Sequence, residues 1–201
     1  MRTSISFSIA AALLAPAVAF AQAPSAVPAA AQAAASVVAS PWGLAIAFFG
    51  AAIATFASCI GSVFGVSAVG QAGSGLLTEK PELAGKVITL AVLPGSQGLY
   101  GMVISFLFIV VFYGPVVSGE VAINAGQGLV LFAAFMPVAF TCFTSAPYQA
   151  KVCSAGMHML AKDDKLAGKV IVLAALVETY ALLGFLISLF MLMFFRPAIL
   201  G

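Results

Sequence analysis

Four apolar stretches, near residues 44–76, 87–112, 126–156 and 170–195, make up most of this chain. Each exceeds the roughly 20 residues that an α-helix needs to cross a bilayer. A backbone inside hydrocarbon must satisfy its own N–H and C=O groups, so runs of this length predict membrane helices. Composition agrees: of 201 residues, 63% are hydrophobic and only 7% charged, where ordinary soluble domains carry about 25% charged residues. Such a chain cannot cover a water-soluble globule, and its expected surrounding is the lipid bilayer. A net charge of +2 without a basic cluster gives no footing for nucleic acid. Cys59, Cys142 and Cys153 are odd in number, isolated and set in apolar runs, so they read as small buried hydrophobes.

The N-terminus is of another kind. "MRTSISFSIAAALLAPAVAFAQA" combines Arg2, a short apolar stretch and small residues at Ala19-Phe20-Ala21. That pattern predicts a signal peptide over 1–21, cut near Ala21 or Ala23; an uncleaved extra helix is the alternative. Residues 22–41 are a Pro/Ala-rich spacer. Beyond it, 42–118 and 119–201 form two helical hairpins, so the expected fold is an all-α membrane protein of four transmembrane helices.

The connections differ in charge. "LTEKPELAGK" joins the first two spans, "LAKDDKLAGK" joins the last two, and Lys80, Lys86, Lys151, Lys162, Lys165 and Lys169 lie in or beside them. The central connection "YGPVVSGEVAINAG" has only Glu120. The positive-inside rule therefore puts both charged loops in the cytoplasm and both termini outside, as a cleaved signal also would.

The two charged loops are copies of one another. With an offset of 83, "LAGKVITLAVLPGSQGLYGMVISF" from Leu83 lies over "LAGKVIVLAALVETYALLGFLISL" from Leu166, and the chain is a tandem repeat of one hairpin. The copies differ at one telling position: Glu178 aligns with Gly95. The other acidic residues, Glu79, Glu82, Glu120, Asp163 and Asp164, belong to the connections. Two hairpins share one intramembrane carboxylate.

An acidic residue at the centre of a membrane helix costs about 2.5–3.5 kcal/mol on insertion scales. It becomes neutral by taking a proton or by pairing with a cation. A group that exchanges either at mid-membrane is a carrier site; the bland alternative is a protonated Glu that cross-links helices. The second span adds "LPGSQGLYG", in which Pro94 removes a backbone donor while Ser96, Gln97 and Tyr100 project polar groups. The third span adds Gln149 in "SAPYQAK". Carboxylate, amide, hydroxyl and carbonyl oxygens suit hard cations, whereas soft metals would want Cys or His. Singly, Gln97, Gln149 and Tyr100 could equally be helix cross-links. The first span is crowded with small residues, among them Ala57, Gly61 and Gly65 at four-residue spacing, and this seam points to a tightly curved oligomeric ring. Pro137 and Pro147 predict kinks in the third span, Arg196 an end to the fourth, and His158 a solvated position. No Walker motif or nucleophile triad is present, so the chain reads as a non-enzyme.

The duplicated hairpin, "LPGSQGLYG" and "VETYALLGF", closely resembles the rotor-ring proteolipid of V-type ATPases over roughly residues 42–196. The resemblance implies a ring of identical subunits in a bacterial inner membrane. That ring would turn against a stator subunit bearing an essential arginine, and would meet the central stalk at the loops around 79–85 and 162–168. It implies that Glu178 binds the transported ion, Na+ or H+, and that ATP chemistry belongs to other subunits. In sodium-carrying members the ion meets oxygens matching Leu93 (backbone), Ser96, Gln97, Gln149 and Glu178, with Tyr100 bonded to the carboxylate. Ser96 stands where threonine is familiar, and Pro147, two residues before Gln149, departs from the pattern. Two readings from other classes compete. One is a stand-alone channel or secondary transporter, disfavoured by the missing carboxylate at Gly95. The other is a structural membrane ring without transport, in which Gln97, Gln149 and Tyr100 would be dispensable.

Overall fold

The computed structural model describes residues 41–118 and 122–200. The expected signal peptide, the spacer up to residue 40, and Glu120 lie outside the described residues. The first span is one helix, α1 (Pro41–Glu79). The second is broken into α2 (Ala84–Val92), a tight 3-10 turn over Leu93–Gly95, α3 (Ser96–Phe108), a wide π turn over Ile109–Tyr113, and α4 (Gly114–Val117). The third and fourth are α5 (Ala125–Lys162) and α6 (Ala167–Leu200). Among the described residues, four helical rods of 36 or 38 residues are long and apolar enough to cross a membrane. At 1.5 Å per residue each measures about 55 Å, so all four overshoot a hydrocarbon core of about 30 Å. The apolar run lengths predict such excess for the first and third only.

Each break has a local cause. Pro94 has no N–H and crowds the carbonyl one turn back, so the helix tightens there and Ser96 N–H bonds the Leu93 carbonyl instead. Pro115 does the same to the turn before it, where the helix widens into the π turn. α5 starts on a reciprocal cap: Asn124 Oδ1 accepts from Gln127 N–H at 2.9 Å, and Gln127 Oε1 accepts from Asn124 N–H at 3.0 Å. α5 runs through both Pro137 and Pro147 as one continuous helix. α6 continues past Arg196 and Pro197 to Leu200, so Arg196 does not end it.

α1 and α5 pack along their whole length, with α3 on α1 and α6 on α5. One apolar core gathers Phe108, Phe112, Phe135, Leu131 and Leu192; a second gathers Leu90, Leu160, Val69 and Val87. The polar residues of interest fall between the two. At the charged loops, Lys80 Nζ donates to the Ala161 carbonyl at 2.6 Å and Lys86 Nζ to Asp164 Oδ2 at 2.5 Å. These contacts clasp one hairpin's loop to the other's. The repeat is visible in space as well: Gly101 packs on Ser58 as Gly184 packs on Thr141, and Gly73 packs on Val87 as Gly156 does on Val170.

The glycine seam of α1 is used inside the chain, against α5 and the turn at Pro94. A Cβ on Gly61 would stand 2.8 Å from Phe143 Cα and from the Phe143 carbonyl oxygen, and one on Gly65 would stand 2.6 Å from Pro94 Cβ. The Phe143 carbonyl is the one that Pro147 deprives of its helical donor, and a glycine lets α1 lie directly against it. Gly61→Val is therefore expected to cost about 1–3 kcal/mol by overpacking. Gly70→Ala, which meets nothing within 4 Å, is expected to be neutral. Thermal unfolding in detergent checks the contrast; equal effects would mean that α1 and α5 do not approach this closely.

Candidate functional site

The 3-10 turn at Leu93–Gly95 determines what α3 presents. Because Pro94 interrupts the ladder, Gly98 N–H donates to Ser62 Oγ on α1 at 2.7 Å, and Cβ-free Gly98 admits that side chain. Ser62 was not singled out from the sequence. Its signal was available: a hydroxyl in an apolar run, aligned with Ser145 in the second copy. Held in this way, the start of α3 points Ser96, Gln97 and Tyr100 towards α5 and α6.

Glu178 lies half-buried on α6, and its carboxylate is met by three of the predicted residues. Oε1 accepts from Ser96 Oγ at 2.7 Å and from Tyr100 Oη at 2.5 Å. Oε2 accepts from Gln149 Nε2 at 3.3 Å, and that amide also donates to the Ala174 carbonyl at 3.1 Å. Gln97 and Gln149 are fully buried, and Gln97 Nε2 donates to Gln149 Oε1 at 2.7 Å. All six predicted residues thus meet in one cluster. Gln149 reaches the carboxylate through its nitrogen, and its oxygen is engaged by Gln97. Pro147 does not displace it from the cluster.

Counting protons shows what this cluster lacks. Ser96 Oγ lies within reach of three acceptors: Glu178 Oε1, the Leu93 carbonyl at 3.0 Å and Gln97 Oε1 at 3.4 Å. One hydroxyl proton can serve one of them well. Glu178 Oε1 is also served by Tyr100 and the Leu93 carbonyl by the Ser96 N–H, yet the charge of the carboxylate itself is uncompensated in an apolar surrounding, which is costly unless positive charge is present. A proton on the carboxyl or a small cation among the oxygens would supply it. Among the described residues no group of three or more His, Cys, Asp or Glu could hold a metal ion. The oxygens gathered at Glu178 are of the kind that suits a hard cation or a proton. Cys142 and Cys153 are buried and Cys59 half-buried, all unpaired, while His158 is exposed at the end of α5.

Tyr100→Phe is expected to remove a hydrogen bond of the charge-assisted kind, worth about 1.5–3 kcal/mol. The Glu178 carboxyl band, isolated by infrared difference against Glu178→Gln, should move to higher frequency. An unmoved band would mean that Tyr100 does not bond the carboxyl in the membrane.

Comparison with known proteins matches the chain twice to the ATP synthase C-subunit family, over residues 49–108 and 132–191. The two matched segments are spaced by the same 83 residues as the repeat. The chain is 44% identical over 152 residues to the V-type sodium ATPase subunit K of Enterococcus hirae, covering 73% of this chain and 89% of that protein. It is 32% identical over 149 residues to the A-type ATP synthase subunit K of Methanocaldococcus jannaschii, covering 74% of this chain and 62% of that protein.

Proposed function

The chain belongs to the ATP synthase C-subunit family as a duplicated c/K-type proteolipid, a multi-pass, non-catalytic membrane component of a rotary ATPase, and from that premise we propose how it works. Glu178 carries one ion per chain across the membrane while a ring of identical copies turns. The observation that supports this is the half-buried Glu178 carboxylate bonded by Ser96, Tyr100 and Gln149. With a proton or cation bound, the group is neutral and can face lipid. Empty, it is a charge in hydrocarbon and is tolerable only beside water and a fixed cation. A stator subunit with an arginine would provide that place, and the restriction couples ion passage to rotation. The two clasped loops at the Lys80 and Asp164 end would meet the central stalk in the cytoplasm of a bacterium, with both chain termini on the far side.

The ion we favour is Na+, with H+ as the competitor. A proton needs one acceptor and calls on none of the other oxygens, whereas a cation can use several of them. Turning the Gln97 and Gln149 amides half a turn about their terminal bonds would exchange the present roles. Gln149 Oε1 would then face the carboxylate and the Ala174 carbonyl, and Gln97 Oε1 would accept from Gln149. In that arrangement oxygens from Leu93, Ser96, Gln149 and Glu178 converge with Gln97 behind them. The name of the Enterococcus hirae relative, a sodium ATPase subunit, points the same way.

Glu178→Gln is expected to abolish ion transport and coupled ATP turnover in the assembled complex; retained transport would sink the mechanism. Carbodiimide modification of Glu178 in membranes at neutral pH separates the ions, because the reagent attacks a protonated carboxyl. Na+ should suppress labelling. Labelling indifferent to Na+ would make H+ the cargo, and an absence of labelling would return Glu178 to a helix cross-link.

A further inference from the structure

The turn that supplies the Leu93 carbonyl and the Ser96 hydroxyl is not held by α2 and α3 alone. Pro94 cannot donate to the carbonyl one turn back, and a helix interrupted within a membrane leaves backbone groups that a neighbour must satisfy. α1 is that neighbour. Gly65 leaves room for the Pro94 ring, and Val66 lies 3.6 Å from where a Gly95 Cβ would stand. Between them the decisive contact is Ser62, which is buried. Its Oγ accepts from Gly98 N–H at 2.7 Å and donates to the Gly95 carbonyl at 3.5 Å. One hydroxyl thus ties the peptide unit that precedes Ser96 to the one that follows Gln97.

The repeat contains its own control. Ser145 aligns with Ser62 at the offset of 83 and is buried as well, yet its hydroxyl has no hydrogen-bond partner among the described residues. The difference lies in the helix opposite. Val177 stands for Pro94 and Ala181 for Gly98, so α6 is unbroken there and carries a Cβ where α3 carries none. A serine that meets an unbroken helix finds its amides already bonded within that helix. The hydroxyl is used only in the hairpin whose helix is broken, and that break is what brings Leu93 and Ser96 to Glu178.

We infer that Ser62 is a specificity-determining residue that acts through the turn: it fixes Leu93 and Ser96 in place and thereby favours Na+ over H+ at Glu178. Ser62 has this role only with Na+ as cargo, so the assignment rests on that reading. A cation must touch several oxygens at once, and two of them, the Leu93 carbonyl and Ser96 Oγ, lie 3.0 Å apart on the turn. A proton needs only the carboxylate, which Tyr100 and Gln149 still hold when the turn loosens. Loosening the turn therefore takes more from Na+ binding than from protonation. Groups that orient a metal ligand without touching the metal change its affinity about 10- to 100-fold when removed.

The test is carbodiimide labelling of Glu178 in membranes at neutral pH over a range of Na+ concentrations, with the full chain, Ser62→Ala and Ser145→Ala. In Ser62→Ala, labelling without Na+ should persist, and the Na+ concentration that halves it should rise about 10-fold or more. Ser145→Ala should match the unsubstituted chain in both respects. If Ser62→Ala does not assemble, Gly98→Ala decides in its place, because it puts a Cβ 3.2 Å from Ser62 Oγ and crowds the hydroxyl off the amide. Na+ protection of Ser62→Ala at the unsubstituted chain's concentration would overturn the role of Ser62 and leave Na+ as the cargo. An equal loss in Ser145→Ala would overturn it too, as general loosening of the hairpins. Labelling of the unsubstituted chain that ignores Na+ would remove the sodium reading and the role of Ser62 together.

Discussion

The buried amides of Gln97 and Gln149 and the hydroxyls of Ser96 and Tyr100 are arranged around the free energy of one carboxylate in hydrocarbon. Glu178 cannot be left charged and bare, and burying it with hydrogen-bond donors alone would make it a permanent fixture. The cluster does something intermediate. It provides three donors at 2.5–3.3 Å, and it sets the Leu93 carbonyl and the Gln97 amide oxygen within reach of the same Ser96 hydroxyl. An added proton or cation would neutralise a group held in this way, and the proposed carrier role rests on that exchange.

The surrounding architecture follows from that requirement. Pro94 breaks the second span where Leu93 and Ser96 are needed, and Ser62 on α1 takes up the amide of Gly98 near the break. The glycines of α1 draw α5 close enough for Gln149 to lie between Gln97 and Glu178. Above and below, the two apolar clusters exclude water and make the polar layer the one interior place where an ion gains. The duplication then economises on carriers. One hairpin keeps the carboxylate, while the other keeps the break, the serine and the amide that serve it.

Much of this was legible in the residues. Run length and hydropathy marked four spans, because a membrane imposes one requirement on every backbone group that crosses it. The offset of 83 marked the duplication, and the lone carboxylate marked the centre of the site. Other features were less legible because they depend on neighbours remote in sequence. That the glycine seam lies against α5 could not be read from the sequence, since spacing along α1 does not say which helix packs on it. Arg196 was expected to end the last helix. That helix runs on past Arg196 and Pro197 to Leu200.

The sequence by itself determined the kind of molecule: helices, their pairing into copies, and the one carboxylate set within an apolar span. These are consequences of local chemistry and of hydrocarbon as a solvent. Only the tertiary structure decided the partners of that residue. Gln149 could have offered Glu178 an oxygen or a nitrogen, and it offers the nitrogen because Gln97, 52 positions away, holds the oxygen. Side-chain orientation in a buried network is settled by donor and acceptor balance among groups brought together from distant parts of the chain, and no single stretch of the chain contains that balance.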